Sequence, residues 1–393
     1  MEHLFILPII LESIDFFKFS FQPAFSPISL GTYIIWVYGY LHYNKNFLQN
    51  RITTSYNIIV IGLLLSGALT ENPSNDISRA IAFIIGILAS VGFASFLFKK
   101  GFVKKLYLFF WALNLYWVYY VLELFLTGKI STEYHFNSFN QSVETINSHT
   151  VGIAISVSVI YLFHHYFLLG GTKNNLIALA LLGGSMFAMI VAQTRSNVTF
   201  TIMIASIIML LKFNKKLRIP QLIMSFGVFF LLISYVPEIT SALGDSESSI
   251  AKRFDVNDEE YQTSTTNSRK LVYFAFGDRL TKEFFGTGIV RPKLYLGTEE
   301  TTNLLMHNQY ATWGVAGGWI SLLGTIMLVV SLVTYFSRFF SLYVGLEKEV
   351  ISLNLAILVY FITLFTIDQS GIFFFVFSGL LIYQQTTFFS KTT

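Results

Sequence analysis

The residues best suited to chemistry lie in one polar stretch that runs from about Arg269 to Gly318. Its cations include Arg269, Arg279, Arg291 and Lys293. The pair His307-Asn308 follows, just before a glycine-rich run that enters a hydrophobic segment. Guanidinium groups bind phosphate oxygens bidentately and stay charged, and histidine can accept a proton from a hydroxyl group near neutral pH. The stretch therefore suits chemistry on an anionic lipid substrate beside a membrane.

His307 is the candidate general base of this stretch, because histidine is the side chain that most often takes up a proton in catalysis. The alternative is a structural histidine at a helix end, bonded to backbone. Three further residues are candidate substrate contacts: Arg279, Arg291 and Asn308. Gly288, in the GTGIV run at 286–290, allows a tight turn or a close approach of backbone to a ligand.

Arg195 lies upstream, between two hydrophobic segments. Its neighbours Gln193, Thr194, Ser196 and Asn197 all carry hydrogen-bonding groups. One interpretation is a polar pocket for phosphate. The other is an interfacial arginine that extends to lipid headgroups, as is common at the ends of membrane helices. The pair His164-His165 has no acidic or cationic cluster nearby in sequence, and we interpret it as structural.

The composition is that of a membrane protein. Of 393 residues, 54% are hydrophobic and 12% are charged, whereas soluble domains carry about 25% charged residues. Several continuous apolar runs approach the roughly 20 residues that a helix needs to cross the bilayer. The sequence has no cysteine, which excludes thiol catalysis and zinc-thiolate sites. A net charge of +4 does not indicate nucleic-acid binding.

The sequence therefore predicts an all-α polytopic membrane protein with about twelve transmembrane helices. The predicted spans are 3–20, 28–43, 53–70, 77–98, 104–126, 149–169, 174–193, 196–213, 219–237, 313–337, 348–367 and 370–389. The first of them, interrupted by charges, is either a span or an interfacial helix. We divide this single membrane domain into N-terminal helices (1–237), a long loop with short helices (238–306) and C-terminal helices (307–393).

The loops predict the orientation. The connections at 45–51, 99–105 and 212–218 are basic and fall on alternate turns of the chain. The intervening connections at 71–76, 127–148 and 238–306 are neutral or acidic, or begin acidic. Because cytoplasmic loops carry an excess of Lys and Arg, both termini are predicted to be cytoplasmic and the long loop to lie outside. The acidic cluster at 255–260 lies in lid-like sequence, and we predict no metal site.

Four short motifs together resemble the bacterial O-antigen polymerase and O-antigen ligase family. They are QTRSNVTFTIM, Arg269 followed by LVYFAF, FFGTGIV, and MHNQYATWGVAGGW. Their order and spacing are more specific than any one of them. The motif resemblance covers about residues 180–340, and the remainder is similar only in hydropathy and helix number. Thr194-Arg195 stands where the family often has Ser-Arg.

The resemblance implies a GT-C-like integral-membrane glycosyltransferase that uses no metal or other cofactor. It implies a bacterial cytoplasmic (inner) membrane location, with the active site at its outer face. The implied donor and acceptor are glycans on undecaprenyl diphosphate, and the implied partners are membrane lipids and a chain-length regulator. Carried over by motif, His307 is the general base, and Arg195 and Arg269 bind the diphosphate.

Polymerase and ligase share these motifs, so the resemblance leaves both open. We favour the polymerase, since this Phe-, Ile- and Asn-rich composition resembles that of serotype-specific polymerases. A flippase or transporter of lipid-linked sugars is the alternative of another class. It predicts charges at the bilayer midplane and an internal repeat, neither of which is evident in the sequence. A purely structural membrane subunit is a further alternative.

Overall fold

The computed structural model describes residues 50–70, 73–127, 148–192, 194–214, 272–273, 275–289, 308–366 and 372–389. Every regular element in these ranges is helical, and no strand occurs among them. The all-α, multi-pass membrane character predicted from hydropathy is therefore confirmed for this part of the chain.

The helices follow one another in chain order. They are α1 (Arg51–Ala68), α2 (Pro73–Lys99), α3 (Leu106–Leu126), α4 (Ser148–Leu169), α5 (Thr172–Val191), α6 (Arg195–Asn214), α7 (Gln309–Leu342), α8 (Lys348–Thr363) and α9 (Ile372–Gln384). Single 3₁₀ turns occupy Phe102–Lys105 and Tyr343–Gly345, and a π-helical turn, Gln385–Phe389, follows α9. We call residues 272–273 and 275–289 the loop segment; it is helical as far as 282.

Six segments of the described chain are long and apolar enough to cross a membrane. They are Arg51–Ala68, Pro73–Lys99, Phe102–Leu126, Val151–Leu169, Thr172–Val191 and Gln309–Gly345. These coincide with the predicted spans 53–70, 77–98, 104–126, 149–169, 174–193 and 313–337. The predicted spans 196–213, 348–367 and 370–389 correspond to the helices α6, α8 and α9. Spans 3–20, 28–43 and 219–237 lie outside the described residues, so the count of twelve stays a prediction.

The described helices group into two compact units. The first contains α1, α2, the loop segment, α7 as far as Phe339, and α9. Small residues bring α1 and α7 into backbone contact: a Cβ on Gly324 would lie 2.7 Å from the Ile59 nitrogen. The Ser321 hydroxyl donates to the Ile59 carbonyl at 2.7 Å. Small residues at a helix interface allow this close approach in a membrane, where dispersion contacts drive association.

The second unit contains α3, α4, α5, α6 and α8 with the end of α7. Its central helix is α4, whose described side chains are almost all buried. Polar side chains cross-link it to its neighbours. The Asn114 amide of α3 donates to Ser158 of α4 at 3.1 Å and to Ser185 of α5 at 2.9 Å. Such bonds between apolar helices satisfy polar groups that lipid could not solvate.

Candidate functional site

The GTG motif forms a tight turn that rests on two helices of the first unit. Gly286 and Gly288 have φ of 87° and 89°, a region that glycine adopts at no steric cost. The Thr287 N–H donates to the Val315 carbonyl at 3.0 Å, and the Gly288 N–H donates to the Ala316 carbonyl at 2.9 Å. The Gly288 N–H also donates to a second acceptor, the hydroxyl of Ser66 in α1, at 2.8 Å. Backbone bonds therefore hold the turn against α7 and α1.

The glycine-rich run GVAGGW supplies the other half of this contact. Gly318 interrupts α7 with φ 64° and ψ −158°, which kinks the helix. The freed Trp319 N–H donates to the Phe284 carbonyl at 3.0 Å. A Cβ on Gly318 would collide with the Phe284 carbonyl oxygen and would lie 2.7 Å from the Gly286 nitrogen. Two of the four family-like motifs thus form one structural element, which we call the GTG–kink element (residues 284–289 and 314–319).

A buried carboxylate lies directly behind this element. Asp76, in the first turn of α2, is buried and accepts a hydrogen bond from the Thr70 hydroxyl at 2.8 Å. A Cβ on Gly288 would lie 2.9 Å from each Asp76 carboxylate oxygen. The sequence alone did not identify Asp76, Thr70 and Ser66. The available signal was the carboxylate at the start of an apolar span, since ionisable residues within such spans are rare and often functional.

Gly288 therefore makes the close approach that its motif predicts, but to the protein's own helices. Its N–H is bonded to Ala316 and Ser66, and its Cα faces Asp76. Its contact with a substrate stays a prediction.

Asn308 caps α7. Its side-chain oxygen accepts a hydrogen bond from the Ala311 N–H at 3.1 Å, three residues into the helix. The next amide, that of Gln309, donates to the Leu364 carbonyl at 2.9 Å. Asparagine is among the best N-cap residues because its oxygen satisfies an amide that has no partner within the helix. The residue that follows His307 is thus fixed by the start of α7, while a substrate contact by Asn308 stays a prediction.

Arg279 lies on the helical part of the loop segment. Its guanidinium forms an ion pair with Glu283 at 2.5 Å, four residues later and just past the end of the helical part. A carboxylate neighbour offsets the positive charge that a phosphate would meet, so any substrate phosphate must compete with Glu283. Asp278 and Lys282 form a second ion pair with the same four-residue spacing, at 2.8 Å. The role of Arg279 in substrate binding stays a prediction.

Arg195 is the first residue of α6 in the second unit and is half-buried. Its neighbours Thr194 and Asn197 are fully buried. The Thr194 hydroxyl donates to the Met189 carbonyl at 3.1 Å. Neither amide atom of Asn197 has a hydrogen-bond partner among the described residues, and a Cβ on Gly152 of α4 would collide with its amide nitrogen. Arg195 thus stands at a helix N-terminus, which attracts anions through its free amides and dipole.

His164 has a structural environment. It is fully buried, with Nδ1 at 2.7 Å from the Ser352 hydroxyl and Nε2 at 2.9 Å from the Tyr343 hydroxyl. His165 stacks on Tyr107, with ring centroids 5.3 Å apart. Both rings occupy the packed interior of the second unit, which agrees with their interpretation as structural.

The remaining predicted site residues, His307, Arg269 and Arg291, lie outside the described residues, as does Lys293. Within the described ranges, no group of three or more His, Cys, Asp or Glu side chains could hold a metal ion. Metal independence stays a prediction, as do the diphosphate-binding roles of Arg195 and Arg269.

Comparison with known proteins places this chain in no family. A scan against protein-family models found no match, and a search of curated proteins found none. The resemblance to O-antigen polymerases and ligases therefore rests on the four motifs.

Proposed function

We propose that this protein is a glycosyltransferase that joins undecaprenyl-diphosphate-linked oligosaccharide repeat units at the outer face of the bacterial cytoplasmic membrane. The observation that carries the proposal is the GTG–kink element. It joins two of the four motifs in one contact, one before and one after the Asn308 cap in the chain, and their order is typical of O-antigen polymerases. The product is an O-antigen or capsular polysaccharide.

In the proposed reaction, the acceptor sugar hydroxyl attacks the anomeric carbon of the donor glycan. The new bond joins that hydroxyl oxygen to the anomeric carbon, and the bond from this carbon to the diphosphate oxygen breaks. His307 takes the hydroxyl proton. Arg195 and Arg269 stabilise the negative charge that develops on the departing lipid diphosphate, the kind of electrostatic stabilisation that contributes most to many enzymatic rate enhancements. No metal takes part.

The described residues support this assignment in two ways. Asn308 and the kink at Gly318 fix the start of α7 next to His307, and a catalytic base requires such positioning. Arg195 opens α6, where the helix N-terminus adds to the attraction of its guanidinium for phosphate.

The test is polymer formation by purified protein in vesicles, supplied with lipid-linked repeat units and a chelator. We expect a ladder of glycan lengths for the wild type, no ladder for His307→Ala, and a severe loss for Arg195→Ala. Arg195→Lys keeps the charge but loses the planar, bidentate donor, so it should be intermediate. Lys282→Ala is the matched control, since Lys282 is exposed and forms an ion pair with Asp278 in the same segment.

Failure in this assay has two informative forms. Transfer that appears only when lipid A core is supplied would identify a ligase. Absence of transfer in both assays, with movement of lipid-linked sugar across the vesicle membrane, would identify a flippase. A ladder that His307→Ala leaves unchanged would remove the general-base role while leaving the polymerase activity in place.

A further inference from the structure

Three aromatic side chains of the loop segment are exposed. Phe284 is 57% exposed, Phe285 44% and Tyr273 53%. The two phenylalanines are adjacent in the turn that precedes the GTG motif. Contiguous exposed aromatic groups are unusual on a surface that faces water alone, and they mark contact with a partner or a membrane.

The two phenylalanines adjoin an exposed apolar surface of α7. Trp319 is 45% exposed, and exposed apolar side chains follow it at intervals of four, three, four and three residues: Leu323, Ile326, Val330 and Val333. This spacing places them on one helix face. Because Gln309–Gly345 is long and apolar enough to cross a membrane, lipid chains cover that face. We call it the α7 lipid face.

Two hydrogen bonds join the loop segment to the top of the α7 lipid face. The Trp319 N–H donates to the Phe284 carbonyl at 3.0 Å, and the Trp319 indole N–H donates to the Leu280 carbonyl at 2.9 Å. The exposed phenylalanines therefore lie beside the first residue of the lipid face. The aromatic surface continues from the helix onto the loop segment.

The length of α7 indicates where Trp319 lies relative to the hydrocarbon core of the membrane. Its 34 residues correspond to about 51 Å of helix, against a hydrocarbon core of about 30 Å. From Trp319 to the end of the helix the length is roughly 36 Å, which is enough to cross that core. Trp319 therefore falls near one boundary of the core, where Trp and Tyr are enriched in membrane proteins.

The rest of the loop segment has the character of an interfacial helix. On one side, Val272 and Ala275 pack in an apolar cluster with Val315 of α7. Lys282 is paired with Asp278, and its side chain is 64% exposed. A segment with one buried side, an exposed aromatic patch and charged groups suits the boundary between headgroups and acyl chains.

We propose that the loop segment lies in the membrane interface and contacts phospholipid through Phe284, Phe285 and Tyr273. The partner is bulk phospholipid at the headgroup–acyl boundary. The long loop is then anchored at the bilayer surface on the side of the GTG–kink element. This inference does not depend on the proposed enzymatic function.

The absence of cysteine from the sequence makes a direct test simple. Single variants Phe284→Cys, Phe285→Cys and Tyr273→Cys are labelled with an environment-sensitive nitrobenzoxadiazole dye and reconstituted into phosphatidylcholine–phosphatidylglycerol vesicles. Quenching by lipids with a shallow or a deep nitroxide is compared with quenching by iodide in the water. Lys282→Cys is the matched control in the same segment, and Val330→Cys is the control on the α7 lipid face. All five positions are exposed, so the labels should not disturb folding.

We expect the shallow nitroxide lipid to quench the dye at 284, 285 and 273 at least about twofold more than at 282. Iodide should show the opposite order, and the deep nitroxide should act most strongly at 330. Dye at 284 and 285 that responds like dye at 282 would overturn the proposal. Dye shielded from both lipid and iodide would also overturn it, because a protein partner or a second copy would then cover the patch.

Discussion

Gly318 is the residue on which the GTG–kink element most directly depends. Its φ of 64° disfavours any other residue, and its Cα adjoins the backbone of Phe284 to Gly286. The contact involves backbone atoms on both sides. A side chain at this position therefore cannot be accommodated by a rotamer change of its neighbours.

We expect Gly318→Ala to destabilise the protein by about 1–3 kcal/mol from backbone strain alone, with an additional cost from the collision with Phe284. Unfolding in detergent micelles measures this. Gly277→Ala is the control: this glycine lies in the helical part of the loop segment, and a Cβ there would meet no described atom within 4 Å. An equal effect of the two substitutions would contradict the assigned contact.

Asn50 has two separate roles at the start of α1. Its side-chain oxygen accepts from the Ile52 N–H at 2.8 Å, and its amide donates to the Ile382 carbonyl and the Thr386 hydroxyl, each at 3.1 Å. One residue thus caps α1 and ties it to α9 and to the π-helical turn that follows. Asn50 is buried, so water does not replace these bonds in full.

We expect Asn50→Ala to cost about 3 kcal/mol, since a helix cap contributes about 1 kcal/mol and each of the two amide hydrogen bonds a similar amount. Asn50→Ser keeps the cap and loses the amide donor, so it should recover roughly a third of that loss. The same unfolding measurement separates the two variants. If serine is as harmful as alanine, the cap contributes nothing measurable.

Among the elements, the spans were easier to predict than the contacts between them. The span predicted at 104–126 is α3, Leu106–Leu126, because membrane thickness sets the length of an apolar run. The span predicted at 348–367 ends as a helix at Thr363, because residues 364–366 form a turn that hydropathy does not detect.

The candidate site was harder to predict, because its contacts join distant parts of the chain. Gly288 meets Ser66 across 222 positions, and no local pattern reports such a pairing. The motif glycines and the pair His307-Asn308 were identifiable in the sequence from their residue types and spacing. Their actual partners, Asp76 and Thr70 among them, depend on how α1, α2 and α7 pack.

The packing of α1 against α7 leads to an element-level prediction. A Cβ on Gly62 would lie 2.6 Å from the Ser321 nitrogen and 2.8 Å from the Gly317 carbonyl oxygen. Gly62→Ala must therefore separate the helices, at a cost of about 1–3 kcal/mol for overpacking. The altered spacing should also lower glycan transfer, because Ser66 on α1 holds the GTG turn.

Gly183→Ala in α5 is the matched control for Gly62→Ala. Gly183 also lies within a helix, but a Cβ there would meet no described atom within 4 Å. Since alanine favours a helix over glycine by about 1 kcal/mol, this variant should be neutral or slightly more stable. Destabilisation by both substitutions would indicate a general intolerance of the helices rather than the α1–α7 contact.

At the scale of the whole molecule, orientation in the membrane decides whether the proposed reaction is feasible. The GTG–kink element adjoins the end of α1 and the start of α2. It therefore lies on the same side of the membrane as the connection between those helices. Lipid-linked glycan polymerisation at the outer face requires that connection to be extracytoplasmic. The basic residues of 99–105 predict this orientation.

Cysteine labelling in intact cells tests this orientation without any assay of activity. We expect Ser74→Cys, in the exposed first turn of α2, to react with a membrane-impermeant maleimide. Lys100→Cys and Lys173→Cys, at exposed positions on the predicted cytoplasmic side, should react only after the cells are permeabilised. The reverse pattern would place the GTG–kink element in the cytoplasm. Polymerisation at the outer face would then be ruled out, whatever the four motifs resemble, because the site would face the wrong compartment.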